Sequence, residues 1–423
     1  MRSKKLFPVK PIFAIFITLL LASAIVPTQA RGQKFKVLHT FHGPNGNGPA
    51  GVLTRDSAGN LYGTTEAGGT GECGNFGCGT AFKLDRSGNQ VWLHSFDVAD
   101  GEEPSAGLLR DAAGNLYGTT DYGGHATCTS GCGTVFKLDS SGKESVLYKF
   151  KAPPDGNTPD SLLARDGLGN VYGLTEHGGE NSLGTVFKVN EHGKEIVLHS
   201  FTGGSDGCIP AGGLIADKAG NLYGIAVEGG SGGLCDEGYG VVFKLDTANN
   251  LTVLFSFGGY NGAYPDSVLL LDSAGNLYGT TAYGGNSECG GSGCGVVFEL
   301  SPQQDGSWME TVLYEFCSVS GCTDGEEPSG SLARNPAGNI YGTTYFGGSS
   351  RNCNGGNCGV AFKLDSGGSE TVLHSFTGGA DGATPAAGVV RDAAGNLYGA
   401  AQTRGDNACN PPSGCGTVFR ITP

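Results

Sequence analysis

The stretch Asp111 to Thr120 reads D-A-A-G-N-L-Y-G-T-T, and it recurs in recognisable form six more times. Its Gly-Asn-[Leu/Val/Ile]-Tyr-Gly core begins at Gly59, Gly114, Gly169, Gly220, Gly275, Gly338 and Gly395, with the tyrosines 51 to 63 residues apart. A period of that size decides the architecture before any local reading does. Aligned, each copy contains four strand-like pieces bounded by Gly, Asp, Asn or Pro. In the last copy piece A is Ala387–Arg391, piece B Asn396–Ala400 and piece C Gly416–Arg420, while piece D, Thr371–Phe376, precedes them. Piece B carries apolar residues on both of its alternating faces, Leu116 on one and Tyr117 on the other, so it belongs to a sheet covered on both sides.

Seven four-stranded sheets packed face to face about an axis satisfy this pattern, and the expected fold is an all-β seven-bladed β-propeller. A lone piece D, Val37–Phe41, stands before the first piece A, and a piece C ends the last copy. The N-terminal strand is therefore expected to complete the last blade and close the ring over residues 31–423. Glycine, 77 of 423 residues, punctuates turns between short apolar runs.

Residues 1–30 differ in kind. Arg2, Lys4, Lys5 and Lys10 precede the apolar run Ile12–Val26 and then Thr28-Gln29-Ala30, the pattern of a cleaved signal peptide. The run falls short of the ~20 residues that span a bilayer, and the C-terminus carries no apolar tail. The mature protein is expected to be secreted or periplasmic, monomeric and free of the membrane. Removing that segment moves the formal net charge from −14 to −18, since it carries four cations and no acid. So acidic a chain repels phosphate backbones, which argues against nucleic acid as a partner.

The 14 cysteines fall mostly in close pairs: Cys73/Cys78, Cys128/Cys132, Cys289/Cys294, Cys317/Cys322, Cys353/Cys358 and Cys409/Cys415, leaving Cys208 and Cys235. In an exported chain they read as disulfides, because no pair has the histidines beside it that a zinc site would need. Antiparallel order puts all of them on one face, where the D–A and B–C connections emerge. Cys208 and Cys235 belong to one blade and would bridge two of its loops.

The succession G-N-L-Y-G-T-T, G-G, G-T-V-F-K-L, T-V-L-H-S-F and D-G-x-x-P resembles the GloVer-type tandem repeat of exported bacterial proteins over about residues 35–423. It is more distantly similar to two-component-regulator and NHL-like propellers. The resemblance implies a propeller. It supplies no catalytic residues to carry over.

Loops on a rigid scaffold are where binding concentrates. Each unit has an Asx-Gly step shortly before Pro: Asn45, Asp100, Asp155, Asp206, Asn261, Asp324 and Asp381. A ring of oxygen ligands for Ca²⁺ or sugar hydroxyls is one reading, and an Asx turn repeated for structure is the favoured one. The Asp of D-x-x-G between pieces A and B reads as a turn residue. His39, His94, His199 and His374 share one slot in the outer strand and read as part of the repeat. Departures from the repeat are better candidates for ligand contacts: Glu102 and Glu103, Glu326 and Glu327, Tyr122, Tyr260, Tyr283, Tyr345 and Phe346. No G-x-S-x-G, H-E-x-x-H or phosphate loop is present, and no cofactor is required by any motif.

The function expected is an exported binding or scaffold propeller that recognises a glycan, cell-wall or protein ligand through the disulfide-stapled face. A polysaccharide lyase or hydrolase with its site at the channel mouth is the alternative, for which Glu102 or Glu103 would have to meet Glu326 or Glu327. A structural component with no small ligand is a third.

Overall fold

In the strand Leu116–Thr120 every residue is buried, because both faces of its sheet meet a neighbouring sheet. Leu116 packs with Phe96 and Phe136 on one side, and Tyr117 with Phe150 and Phe187 on the other. This computed structural model describes residues 33–422 except 75, 125–127, 231–234, 287–288, 354–357 and 410; the segment 1–30, read as a signal peptide, lies outside them.

The described residues form seven antiparallel four-stranded sheets arranged as the blades of a propeller. Blade 1 runs outward from the axis through Thr54–Arg55, Leu61–Thr65, Thr80–Leu84 and Gln90–Ser95. In blade 5 the inner strand is split into Ala263–Pro265 and Leu270–Leu271, both paired with Leu277–Tyr283. The ring closes as the repeat count requires. Lys34–Thr40 pairs with Thr417–Thr422, setting Lys34 opposite Thr422 and Thr40 opposite Thr417, and so supplies the outer strand of blade 7.

One contact recurs at every interface. A phenylalanine of the third strand meets a phenylalanine that ends the preceding blade's outer strand, with ring centroids 4.9 to 5.4 Å apart and the rings steeply inclined. Steeply inclined rings set positive edges against negative faces, which favours the pair beyond the area it buries. The third-strand ring is seated on the second glycine of the repeat core. A Cβ at Gly118 would lie 2.6 Å from Phe136 Cζ and 2.9 Å from Leu108 Cδ2, and a Cβ at each of the six equivalent glycines would lie 2.5 to 2.7 Å from its own ring. Glycine is required here by close approach, at an ordinary φ.

The turn aspartates act as expected. Asp56 accepts bonds from the Asn60 backbone and side chain and from Tyr62 Oη at 3.0 Å, while Arg110 of the next blade lies over the Tyr62 ring. The Asx residues before Pro lie against the outer strands and not at the channel mouth, which overturns their reading as an axial ligand ring. Asp100, Asp206 and Asp381 sit 3.0 to 3.1 Å from His94, His199 and His374, Asn45 lies 3.2 Å from His39, and Asp155 and Asp324 accept from Tyr148 and Tyr314. Asp100, Asp155 and Asp206 also accept a backbone N–H from three or four residues earlier in their own loop, a structural turn contact that differs from the expected Asx turn, in which the donor lies two residues on.

The following blade adds a second carboxyl to several of these pairs. Glu144, Glu195 and Glu370 each bury an Oε1 without a hydrogen-bond partner. Burial, then repulsion from Asp100, Asp155 and Asp324 respectively, pushes all three up to about 7. At the turns burial opposes ionisation of Asp56 and Asp111, but bonds from Asn and Tyr outweigh it and hold both below the ordinary carboxylate value.

Two outcomes follow from this packing. Gly118→Ala is expected to cost about 1–3 kcal/mol through overpacking, whereas Gly167→Ala, whose Cβ would meet nothing within 4 Å, should stay within about 0.5 kcal/mol of the parent; urea midpoints compare them. The raised glutamates give the native state extra protons, so their stabilising contribution is full below the unfolded value near 4.5 and is lost as pH rises through about 7. The lowered aspartates contribute above the ordinary carboxylate range and lose that contribution as pH falls through their depressed values. The melting temperature should therefore peak on the mildly acid side and fall toward alkaline pH, and the triple variant Glu144→Gln, Glu195→Gln, Glu370→Gln should flatten the fall.

Candidate functional site at the axial mouth

All 14 cysteines are joined in seven disulfides, Cys208–Cys235 among them, a complement that belongs to an oxidising, extracytoplasmic environment. They bear directly on the axis. The connection entering each blade passes through a residue just before Pro, and all seven such residues have positive φ: Gly48, Glu103, Thr158, Ile209, Tyr264, Glu327 and Thr384. Six of the seven carry side chains in a conformation that disfavours them. The backbone is held there by a bond to the preceding blade. The N–H of Glu103, Thr158, Glu327 and Thr384 donates to the carbonyl of Cys78, Cys132, Cys294 and Cys358, each the second cysteine of a stapled loop.

Beside the pre-Pro residue lies the residue that follows the second strand, and beyond the proline the chain turns down the axis. These slots collect acids in blades 1 to 3: Glu66, Asp121 and Glu176 after the second strand, Glu103 before Pro and Asp160 after it. Asp266 joins them from blade 5. Ser105 Oγ lies 2.8 Å from Asp121 Oδ1 and 2.8 Å from Asp160 Oδ1. A hydroxyl has one hydrogen, so both contacts are hydrogen bonds only if one carboxyl holds a proton. Burial, then the nearby Asp160, raises Asp121 well above the carboxylate range, and burial raises Asp160 as well. Glu66, Glu176 and Asp266 are pushed up to about 7 by burial and then by Asp160. Asp266 opens on the channel yet has protein on all sides, and a charge so enclosed is poorly solvated.

Blades 5 and 6 supply a different wall. Tyr264, Tyr283, Tyr345 and Glu327 line a cavity of about 430 Å³ together with Ile209 and Val227 of blade 4. Below it an axial cavity of about 230 Å³ is lined by residues of all seven blades, Ser105, Asp160, Asp266 and Tyr345 included. Tyr283 lies beside Glu327 and meets Tyr264 edge to face. Gln402 ties the walls together, donating to Glu66 at 2.9 Å and accepting from Tyr345 Oη at 3.4 Å. The mouth is thus a cup with an acidic side and a tyrosine side.

Of the residues singled out by sequence, Glu327, Tyr283 and Tyr345 line this cup, and Glu103 stands near Glu66 and Asp121 beside it. Tyr122 stands beside the acids, where burial and then Asp121 raise its phenol. Glu102 pairs with Tyr122, and Glu326 with Phe346, through the backbone, and the Phe346 ring packs edge-on against Tyr345. Tyr260, 79% exposed, lies with Tyr239 in an adjoining groove that shares Tyr264 and Tyr283 with the cup. Among the described residues no hydrogen bond joins Glu102 or Glu103 to Glu326 or Glu327. Sequence reading missed Glu66, Asp121, Ser105, Asp160, Glu176, Asp266 and Gln402. The available signal was divergence between repeats at two fixed slots, immediately after piece B and immediately after Pro.

Replacing Ser105 tests the shared proton. Ser105→Ala leaves two close carboxyls without the group between them, and should cost about 1–3 kcal/mol. The loss should be larger at alkaline than at mildly acid pH, since repulsion grows as the pair ionises; denaturant melts at the two pH values measure it.

Among solved structures the chain resembles a catalytically inactive virginiamycin B lyase from Staphylococcus aureus with quinupristin, at 11% identity and a TM-score of 0.57, covering 92% of this chain and 99% of that one. It also resembles the extracellular domain of a putative hybrid two-component system from B. thetaiotaomicron, at 15% identity and a TM-score of 0.54, covering 92% of this chain and 42% of that one. At such identities the likeness is one of fold. No protein of curated function matches the sequence. The Gloeobacter/Verrucomicrobia repeat matches residues 23–235 and 169–419. Since those two matches together take in all seven blades, the chain belongs to the Gloeobacter/Verrucomicrobia repeat family.

Proposed function

We propose that this protein is an exported, monomeric binding propeller, secreted or periplasmic, that takes a glycan of the cell exterior in the axial cup. The observation carrying this reading is the convergence of unlike residues from equivalent repeat positions: Asp160 and Glu176 of blade 3 and Asp266 of blade 5 share the two axial cavities with tyrosines from blades 5 and 6. A tyrosine face accepts the apolar side of a sugar ring, and carboxylates accept its hydroxyls. Disulfide-bonded loops anchor the pre-Pro positions, so much of the cup is organised before ligand arrives and less ordering cost opposes binding.

A second reading has a specific observation behind it. Two acids bridged by Ser105 would, with one of them protonated, supply an acid and a carboxylate side by side, the pairing that glycoside hydrolysis uses. Fold resemblance favours neither reading, since propellers host unrelated activities.

The test is a panel of glycans and cell-wall polysaccharides offered to the mature protein with and without Ca²⁺. Binding of at least one is expected, falling about tenfold or more in a Tyr283→Ala, Tyr345→Ala variant that keeps its melting temperature. A folded protein that binds nothing on the panel sinks the proposal. Release of shortened product from a bound glycan, abolished by Asp160→Asn, would instead establish the hydrolytic reading.

A further inference from the structure

Asp160, Glu176 and Asp266 gather at the axial mouth, and among the described residues the one basic side chain paired with any of them is His177, 3.9 Å from Glu176. Among the described residues lining the two axial cavities there is no Lys, Arg or His. Bonds from Ser105 and Gln402 engage only single oxygens of Asp121, Asp160 and Glu66. Protonation relieves that crowding, and the one hydroxyl of Ser105 can bond both Asp121 and Asp160 only if one of the two carboxyls holds a proton. A ligand carrying positive charge would displace those protons and be held by the ionised acids inside a partly enclosed space, where charge attraction is screened less than at an open surface. The opposite wall suits the same charge. Tyr264, Tyr283 and Tyr345 present ring surfaces beside the acids, and cations are drawn to such faces.

A bare metal ion fits less well. Among the described residues, the groups that bring three ligand atoms to metal-binding spacing lie elsewhere, at disulfides and at His94, Asp100 and Glu144 on the rim. The tyrosine wall would have no role toward a metal ion. A ring-shaped body with a cationic nitrogen uses both walls.

We infer that the ligand of the axial cup is an amine-bearing saccharide, a glucosamine-type unit whose ammonium enters the acidic side around Asp160 and Asp266 while its ring lies on the tyrosines. This rests on the glycan-binding reading above and narrows it.

Titration calorimetry of the whole mature protein with a fully deacetylated glucosamine oligosaccharide, and with its fully N-acetylated counterpart of equal length, decides the matter. The deacetylated oligomer should bind at least about tenfold more tightly. That preference should vanish in the Asp160→Asn, Asp266→Asn variant, whose melting temperature should not fall, since the carboxyls removed repel one another. Equal binding of the two oligomers overturns the inference and leaves glycan binding standing, whereas failure on the glycan panel removes the parent reading itself. Amine binding that survives in the double variant assigns it to the acidic surface at large and also overturns the inference. So does an arginine-containing peptide that binds more tightly than the glucosamine oligomer.

Discussion

The structure depends on a phenylalanine seated on a glycine. At each of the seven interfaces a third-strand ring lies against the bare backbone of the repeat-core glycine and takes the edge of a ring from the preceding blade. This wedge sets blade spacing, and with seven equal spacings the ring closes. It also explains why the most repeated motif is conformationally inert. Leu116, Tyr117 and Gly118 are fully committed to burial, and Asp111 to its turn, so none is left to meet a ligand.

The cup is built at the point where that uniformity ends. The chain leaves the second strand, or enters the inner one past Pro, at positions the wedge does not constrain. There the seven copies carry different side chains. Two costs are accepted at the mouth: positive φ at six non-glycine residues, and carboxyl groups crowded together with raised affinity for protons. Strained backbone and crowded carboxyls held in place by a rigid scaffold are features that gather at functional sites. The disulfides contribute to the holding. Cys78, Cys132, Cys294 and Cys358 offer their carbonyls to the pre-Pro residues of the next blade, so a staple in one loop fixes the geometry of its neighbour.

The same excess of acid recurs at the rim in a milder form. Glu144, Glu195 and Glu370 lie against the aspartates or tyrosines that cap the preceding outer strand. Rim and cup therefore shift stability in the same direction with pH. The turn aspartates, stabilised as anions by Asn and Tyr, act as the opposing limit at low pH.

The sequence by itself determined the blade count, the strand order, the ring closure through Lys34–Thr40 and the face on which the loops are stapled. Each of these follows from a periodic pattern of burial and turns, which is local and repeated seven times. It also pointed to Glu103, Glu327, Tyr283 and Tyr345, because they break a conspicuous motif. Only the tertiary structure decided that Glu327, Tyr283 and Tyr345 share a cavity, that Tyr260 lies in the groove beside it, and that Asp160, Glu176 and Asp266 line the axis with Asp121, Glu66 and Glu103 as their neighbours. In the chain Asp121 simply follows Thr120 at the end of the repeated stretch. Its meaning comes from Ser105 and Asp160, brought beside it from other strands by propeller closure, and convergence about an axis is not written in the period of any single repeat.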